Sequence, residues 1–551
     1  MDDKREISVS LDFQTHLAEL EKRGLLVRID EPIDKDAELH PLVRCQFVGG
    51  VPESQRRAFM FTNVVDAKGR KYDMPVVVGA LAANPEIYSV GMGRSTSQIS
   101  NAWLSAIANP IPPVTVASGI CQEVVLTGED LTKPGGGLAM LPVPVSTPGF
   151  DAAPTLTATL CITRDPENGI QNMSTNRAAL KSQTRLGVRM SSRIGGSGGY
   201  QHWLKYQKQG KPMPIAIAVG CAPVACYTGP QRLPMDFDEA TVAGSLAGQP
   251  IALVKAKTVD LLVPANAEII IEGFISTELL EPEGPFGEST GYVALEDFNL
   301  SMEVTAITHR RNPVFTSIIS QVTPSESSVM RKVALEPLFF GHLRDHVAIK
   351  GIKRVVMHEV LSNLRPLIFL QFAASAPRTE IWRGLQAASS RIADCGKIVI
   401  AVSEDVDPSN ANAVFWSMAY RANPVEDVLI VPFRSPGHGP SSDRKGGPKG
   451  DPRTANSTML IDATLKDVMP PVALPAKPYM ERAQEIWNRL NLPPISFQAP
   501  WHGYALGDWS DRWEEFAQNA VLGEWEKNGE NTLSRRRGGL TPETSVRAVE
   551  N

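Results

Sequence analysis

The chain has 551 residues, 42% of them hydrophobic and 21% charged, with a formal net charge of −5. That length exceeds what one hydrophobic core organises, so two to four domains of an ordinary globular protein are expected. An acidic balance argues against general nucleic-acid binding, which needs a basic face, and no apolar run reaches the roughly 18 residues of a membrane span. The N-terminus, MDDKREISVS, lacks the apolar stretch of a secretory signal. Six scattered cysteines (Cys45, Cys121, Cys161, Cys221, Cys226 and Cys395) fit reduced thiols. A cytoplasmic location is therefore expected. Cys221 and Cys226 have no second pair nearby, which is poor spacing for zinc.

In chain order, SLDFQTHLAELEKRGLLVRI predicts an amphipathic helix running into a strand over Leu25–Ile29. MPVVVGALAAN predicts another strand, stopped at Asn84-Pro85. The Pro- and Gly-rich stretch from about Asn109 to Pro148 reads as a connector, with a boundary near residue 115. From Ala153 to about Arg311, TLTATLCITRD, PIAIAVG, IALVKAKTVDLLVPANAEIIIEGFI and MEVTAITHRR predict a mainly β, barrel-like domain with one or two inserted helices. SSVMRKVALEPLFFGHLRDHV predicts a long helix. After it, RVVMHEV, LRPLIFLQFAA, KIVIAVSEDVD and VLIVPFR alternate with helical stretches, the pattern of an α/β domain. The polar run PGHGPSSDRKGGPKGDPRTANS is a long loop. Trp487, Trp501, Trp509, Trp513 and Trp525 near the C-terminus predict docking on the same subunit or a neighbour. The final SRRRGGLTPETSVRAVEN has the composition of disorder.

Several segments carry residues suited to chemistry. EGPFGESTGYV, Glu283 to Val293, sets two carboxylates five residues apart on a Gly-Pro-x-Gly bend that suits neither a helix nor a central strand. NMSTNRAAL clusters Asn172, Ser174, Thr175, Asn176 and Arg177, and the guanidinium fork can hold a carboxylate bidentately. GYQHWLKY offers Gln201 and His202 just before a predicted helix. MDFDEATVAGS starts a helix of small residues at Glu239, where an acid suits the helix dipole. Taken singly, each has an ordinary reading as a solvated or structural residue.

Taken in order, these motifs resemble the UbiD family of decarboxylases, which use prenylated FMN. The resemblance rests on EGPFGE followed by x-x-G-Y (Glu283 to Tyr292), N-x-S-x-x-R (Asn172, Ser174, Arg177), the Gln201-His202 pair and Glu239, and it spans nearly the whole chain. It implies an N-terminal α/β segment (1–115), a central split β-barrel-like flavin-binding domain (116–320), a C-terminal α/β oligomerisation domain (321–490) and a Trp-rich extension (491–551). It also implies a catalytic set of Arg177, Glu283 and Glu288. Asn172, His202 and Glu239 would hold Mn²⁺ or Mg²⁺ against the cofactor phosphate, with K⁺ near Met173, Thr228, Gly229 and Glu239. Ser174, Thr175, Asn176, Arg177 and Gln201 would line the cofactor, and Arg391 or Lys397 would assist. The GGSGG run before Tyr200 is extra relative to the family pattern. An amide, an imidazole and a carboxylate completed by phosphate oxygens suit a hard to borderline cation.

The implied reaction is reversible, non-oxidative loss of CO₂ from an aromatic acid through a covalent cofactor adduct, with Glu288 returning the proton. Ser289 and Thr290, both small, leave room that favours an aromatic acid, bicyclic or heteroaromatic ones included, over an acrylic acid; the strand Val428–Val431 and the loop at His438 are expected near the pocket mouth. A phthaloyl-CoA-like thioester is the alternative suggested by Arg535, Arg536 and Arg537. A flavin-dependent oxidoreductase and a non-catalytic assembly subunit are the rivals of other classes. A flavin prenyltransferase is implied as cofactor supplier, and a homodimer or hexamer as the assembly.

Overall fold

The computed structural model describes residues 9–191, 197–231, 233, 237–362, 364, 366–391, 395–434, 456–466, 469–503, 507–533 and 535–536. The first helix, Phe13–Lys22, buries Phe13, His16, Leu17 and Leu20, the 3–4 spacing of one helix face, and Asp12 caps it by accepting from the Thr15 amide. The strand Leu26–Ile29 follows and pairs in parallel with Ala58–Phe61, which runs antiparallel to Val76–Val78. The expected strand through MPVVVGALAAN ends early, at Val78. The amides of Gly79, Leu81 and Ala82 turn instead to the buried Glu326 carboxyl, and Asn84 caps the helix Pro85–Met92. This first sheet is completed from far along the chain by Phe315–Ser317, parallel to Val76–Val78. The N-terminal and central parts share one continuous core, from Phe13 to Ala334.

The central layer is a nine-stranded sheet built of antiparallel pairs. Its spine is two long strands, Ile269–Glu283 and Asp297–His309, paired along most of their length with irregularities after Glu272 and Ile275. The terminal strands of the path, Gln171–Ser174 and Thr155–Leu156, are not paired with each other, so the sheet stays open there as a split barrel does. Helices Gly198–Lys208 and Glu239–Ala247 pack against the strand Gln171–Ser174.

The helix Glu326–Gly341, capped by Ser325, leads out of this core; its last turn widens over His342–His346, giving the long helix the sequence predicts. A five-stranded sheet follows in the order Ile352–Met357, Leu367–Phe372, Ile398–Ser403, Asn456–Ala463 and Val428–Arg434. Helices Arg378–Ser390 and Ala411–Arg421 sit over two separate apolar clusters of it. Beyond it, helices Lys477–Arg489, Asp511–Val521 and Trp525–Leu533 bury no residue of their own. Trp501 stacks on Phe497 at 4.7 Å and Trp509 lies 5.7 Å from Trp513, so the aromatic residues there pack locally rather than into the main core. None of the six cysteines is in a disulfide. Among the described residues no helix is long and apolar enough to cross a membrane.

Candidate active site

Glu283 is the last residue of the long strand, paired with Asp297. Gly284-Pro285 ends that strand, and the chain then makes a two-residue hairpin, Phe286–Gly287 against Val293–Ala294. The bend thus contains a small piece of sheet that its Gly-Pro composition does not suggest. Glu288 follows directly: its amide donates to the Tyr292 carbonyl, and the Gly291 amide donates back to Glu288. The two acids are therefore fixed by different supports, one by the main sheet and the other by a small hairpin.

Arg177 joins them. It lies just beyond the strand Gln171–Ser174, and its backbone carbonyl accepts from the Arg189 amide at 3.0 Å. Its Nε and Nη2 donate to the two Glu283 oxygens, each at 2.9 Å, and Nη1 donates to Glu288 Oε1. The guanidinium lies over the Phe286 ring, 4.3 Å from its centroid. Burial opposes charge on Arg177, but the Glu283 and Glu288 carboxylates override it and hold its pKa above the ordinary arginine value. Glu283 also accepts from Asn299 Nδ2 at 2.5 Å, so three donors saturate it. Its side chain is 5% exposed against 31% for Glu288, which separates a fixed acid from an accessible one.

A second group forms at the other end of the same strand. Asn172 pairs across the ladder with Thr163, whose hydroxyl lies 2.9 Å from Nδ1 of His202. Cross-strand neighbours share a face, so this pairing brings His202 to Asn172. Glu239, first residue of its helix, accepts from Asn172 Nδ2 at 2.8 Å and from the Met173 amide at 2.7 Å. Burial pushes the Glu239 pKa up to about 8, against the pull of those donors. Asn172 Oδ1 is buried without a partner. An orphaned amide oxygen, a carboxyl whose charge lacks compensation and an imidazole oriented through its other nitrogen form a donor set that fits an oxygen- and nitrogen-loving divalent cation.

Ser174 Oγ accepts from Asn176 Nδ2 at 2.7 Å, and Thr175 donates its amide to Gly229, next to Thr228. Gln201 and His202 lie inside the helix Gly198–Lys208 rather than before it, because the Ser197 cap starts that helix early. Arg391 stands apart: it ends the helix of the C-terminal sheet, lies over Phe339, and has Nη1 buried and unpartnered. Lys397 is exposed at the start of the strand Ile398–Ser403. His438 and Arg537 lie outside the described residues, as do Gly195 and Gly196 of the GGSGG run. Val428–Val431 forms part of an edge strand of the C-terminal sheet.

Sequence reasoning gives no role to Thr163, Asn299, Phe286 or Asp151. Asp151 accepts from the Gly287 amide at 2.8 Å and the Thr147 amide at 2.7 Å. Phe286, inside the EGPFGE motif, was the one with a local signal.

Matches to family models cover most of the chain: the N-terminal domain of 3-octaprenyl-4-hydroxybenzoate carboxy-lyase over residues 17–107, its Rift-related domain over 114–322 and its C-terminal domain over 328–463. The chain belongs to the UbiD family of carboxy-lyases. Among solved structures it is similar to an evolved dimeric form of the UbiD-class enzyme HmfF from Pelotomaculum thermopropionicum in complex with prFMN, with 27% identity, a TM-score of 0.70, and 89% of this chain and 97% of that one covered. The vanillic acid decarboxylase of Sedimentibacter hydroxybenzoicus shares the fold at 22% identity and a TM-score of 0.70, covering 94% of this chain and 99% of its own. An uncharacterised protein of Synechocystis is 29% identical over 448 residues, 76% of this chain and 84% of that protein.

Proposed function

We propose that the chain removes CO₂ from an aromatic carboxylic acid, with prenylated FMN as cofactor and Arg177, Glu283 and Glu288 as its catalytic residues. The observation that carries this reading is the convergence of one guanidinium and two carboxylates from distant segments, with unequal exposure of the two acids. Bound prenylated FMN supplies the electron sink that no side chain offers to the carbanion left by CO₂. Asn172, His202 and Glu239 would hold Mn²⁺ or Mg²⁺, with K⁺ near Met173, Thr228, Gly229 and Glu239. The cation would offset phosphate charge in an acidic protein.

The chain's own residues then divide the work. Glu283 occupies Nε and Nη2 of Arg177 and fixes the guanidinium plane. The substrate carboxylate competes with Glu288 for the Nη1 edge. Displaced from Nη1, Glu288 would take a proton from solvent through its exposed edge and deliver it to the carbon that CO₂ leaves. The four-part division at 115, 320 and 490 belongs to this proposal, as do a flavin prenyltransferase as supplier and a homodimer or hexamer.

No observation favours the aryl-CoA thioester: Arg535 is engaged by Asn531 and the Phe516 ring within the extension. The test is expression with and without a flavin prenyltransferase, followed by CO₂ release from a panel of aromatic acids. Activity is expected only with the prenyltransferase, and its loss is expected in Glu288→Gln. Turnover at the parent rate by Glu288→Gln would remove the proposed proton donor.

A further inference from the structure

The hairpin that carries Glu288 is short, although Phe286 and Gly287 within it are buried. It contributes two residue pairs to a separate two-stranded ribbon, and the turn beyond Glu288 is exposed at Gly291 and Tyr292. Yet a proton donor must be held to within a fraction of an ångström to be effective. The fixing comes from the segment Thr147–Ala152. Asp151 Oδ1 accepts from the Gly287 amide at 2.8 Å, Asp151 Oδ2 accepts from the Thr147 amide at 2.7 Å, and the Ala152 amide donates to the Pro285 carbonyl at 3.0 Å. The two segments press together so closely that a Cβ on Gly287 would stand 2.2 Å from Thr147 Oγ1, and one on Gly284 would stand 2.3 Å from the Ala152 Cβ. One carboxylate therefore staples its own loop with one oxygen and the residue preceding Glu288 with the other.

We propose that Asp151 is the positioning residue for Glu288. It touches neither substrate nor reacting atoms; it sets the height of the hairpin, so that the Glu288 carboxyl meets Arg177 Nη1 and, during turnover, the substrate carbon. This rests on the reading of Glu288 as proton donor. Two features make Asp151 more than a generic loop residue. Charge-assisted acceptance from backbone amides is strong and directional. The bonded amide also lies one peptide away from Glu288, so slack at Gly287 passes directly into its position.

The experiment compares Asp151→Asn, Asp151→Ala and Glu288→Gln with the parent. Amide hydrogen exchange of residues 284–294 is followed in the protein alone, and kcat and KM are measured on the panel acid with the highest turnover. In the Asp151 variants exchange is expected to rise in 284–294 and not in 171–177, while kcat falls about 10- to 100-fold, the loss expected of a misplaced catalytic group. KM and flavin content stay near the parent values, a split that a merely structural lesion would not give. Should Asp151→Ala fail to fold, Gly287→Ala displaces the hairpin with Asp151 intact and is expected to give the same kcat loss. Unchanged exchange in 284–294, or parental kcat in Asp151→Asn, would overturn the proposal while an inactive Glu288→Gln left the decarboxylase reading standing. Parental turnover by Glu288→Gln would overturn both.

Discussion

Replacing Glu283 with Gln tests whether a fixed carboxylate sets the guanidinium plane. The substitution keeps the shape, so no cavity forms, but one oxygen that now accepts becomes an NH₂ facing a donor of Arg177 or Asn299. The native carboxylate takes two bonds of 2.9 Å from Arg177 and one of 2.5 Å from Asn299 at 5% side-chain exposure. A hydrogen bond to a charged group contributes about 1.5–3 kcal/mol, and removing one partner of a buried ion pair costs about 3–5 kcal/mol. Glu288 keeps a share of the Arg177 charge, so the lower part of that range applies, about 3 kcal/mol. That cost falls first on folding stability; the share felt in the transition state is the misaligned Nη1 edge, about one charged hydrogen bond, or a fall in kcat/KM of about 10- to 100-fold. Steady-state decarboxylation with matched flavin content is the assay. Because Glu283 acts on orientation and not on proton delivery, Asn299→Ala should show a weaker loss of the same kind. A Glu283→Gln enzyme within about threefold of the parent would refute the reasoning, since even one lost charged hydrogen bond is worth more.

Other outcomes follow from the same geometry. Glu239→Ala should lose bound divalent metal and flavin together, measured by elemental analysis and flavin absorbance after desalting; retention of both would show that the donor set lies elsewhere. His16 and His40 are buried, with burial the main cause of pKa values lowered to about 4 and about 3. The unfolded chain therefore binds protons near pH 6.5 that the folded chain refuses, and stability falls as pH drops below that value. Between pH 6.5 and pH 5 each histidine should remove about 1.5 kcal/mol, the slope rising toward about 1.4 kcal/mol per pH unit as the unfolded imidazole becomes fully protonated. Urea midpoints of the parent should drop over that interval, and those of His16→Gln should drop less; equal slopes would contradict the assignment.

The segments that read most clearly from sequence were those whose chemistry is local. The run from Asn172 to Arg177 and the loop from Glu283 to Glu288 carry their acids, amides and guanidinium at short spacing, and both groups of the site contain them. What sequence did not reveal depends on long-range contact. Asp151 meets Gly287, and Thr163 meets His202, across separations with no periodic signature. Asn299 sits on a strand whose apolar/polar alternation would turn it to solvent, yet it is buried and Phe298 is exposed. The helix at Gln201 and His202 began earlier than expected because a single serine cap outweighed two glycines. The strand at Val76 was shorter because Glu326, far away in sequence, captured the amides that would have extended it.

The late arrival of Phe315–Ser317 in the first sheet has a consequence for biosynthesis. A ribosome delivers Val76–Val78 long before its outer neighbour exists, and the Glu326 carboxyl that ties down the next turn emerges later still. The nascent N-terminal layer thus waits with a bare strand edge, a surface on which polypeptides aggregate, until the whole central sheet has been translated. Recombinant fragments ending before residue 317 should therefore be insoluble or chaperone-bound, whereas a cut after the helix Glu326–Gly341 leaves that edge covered.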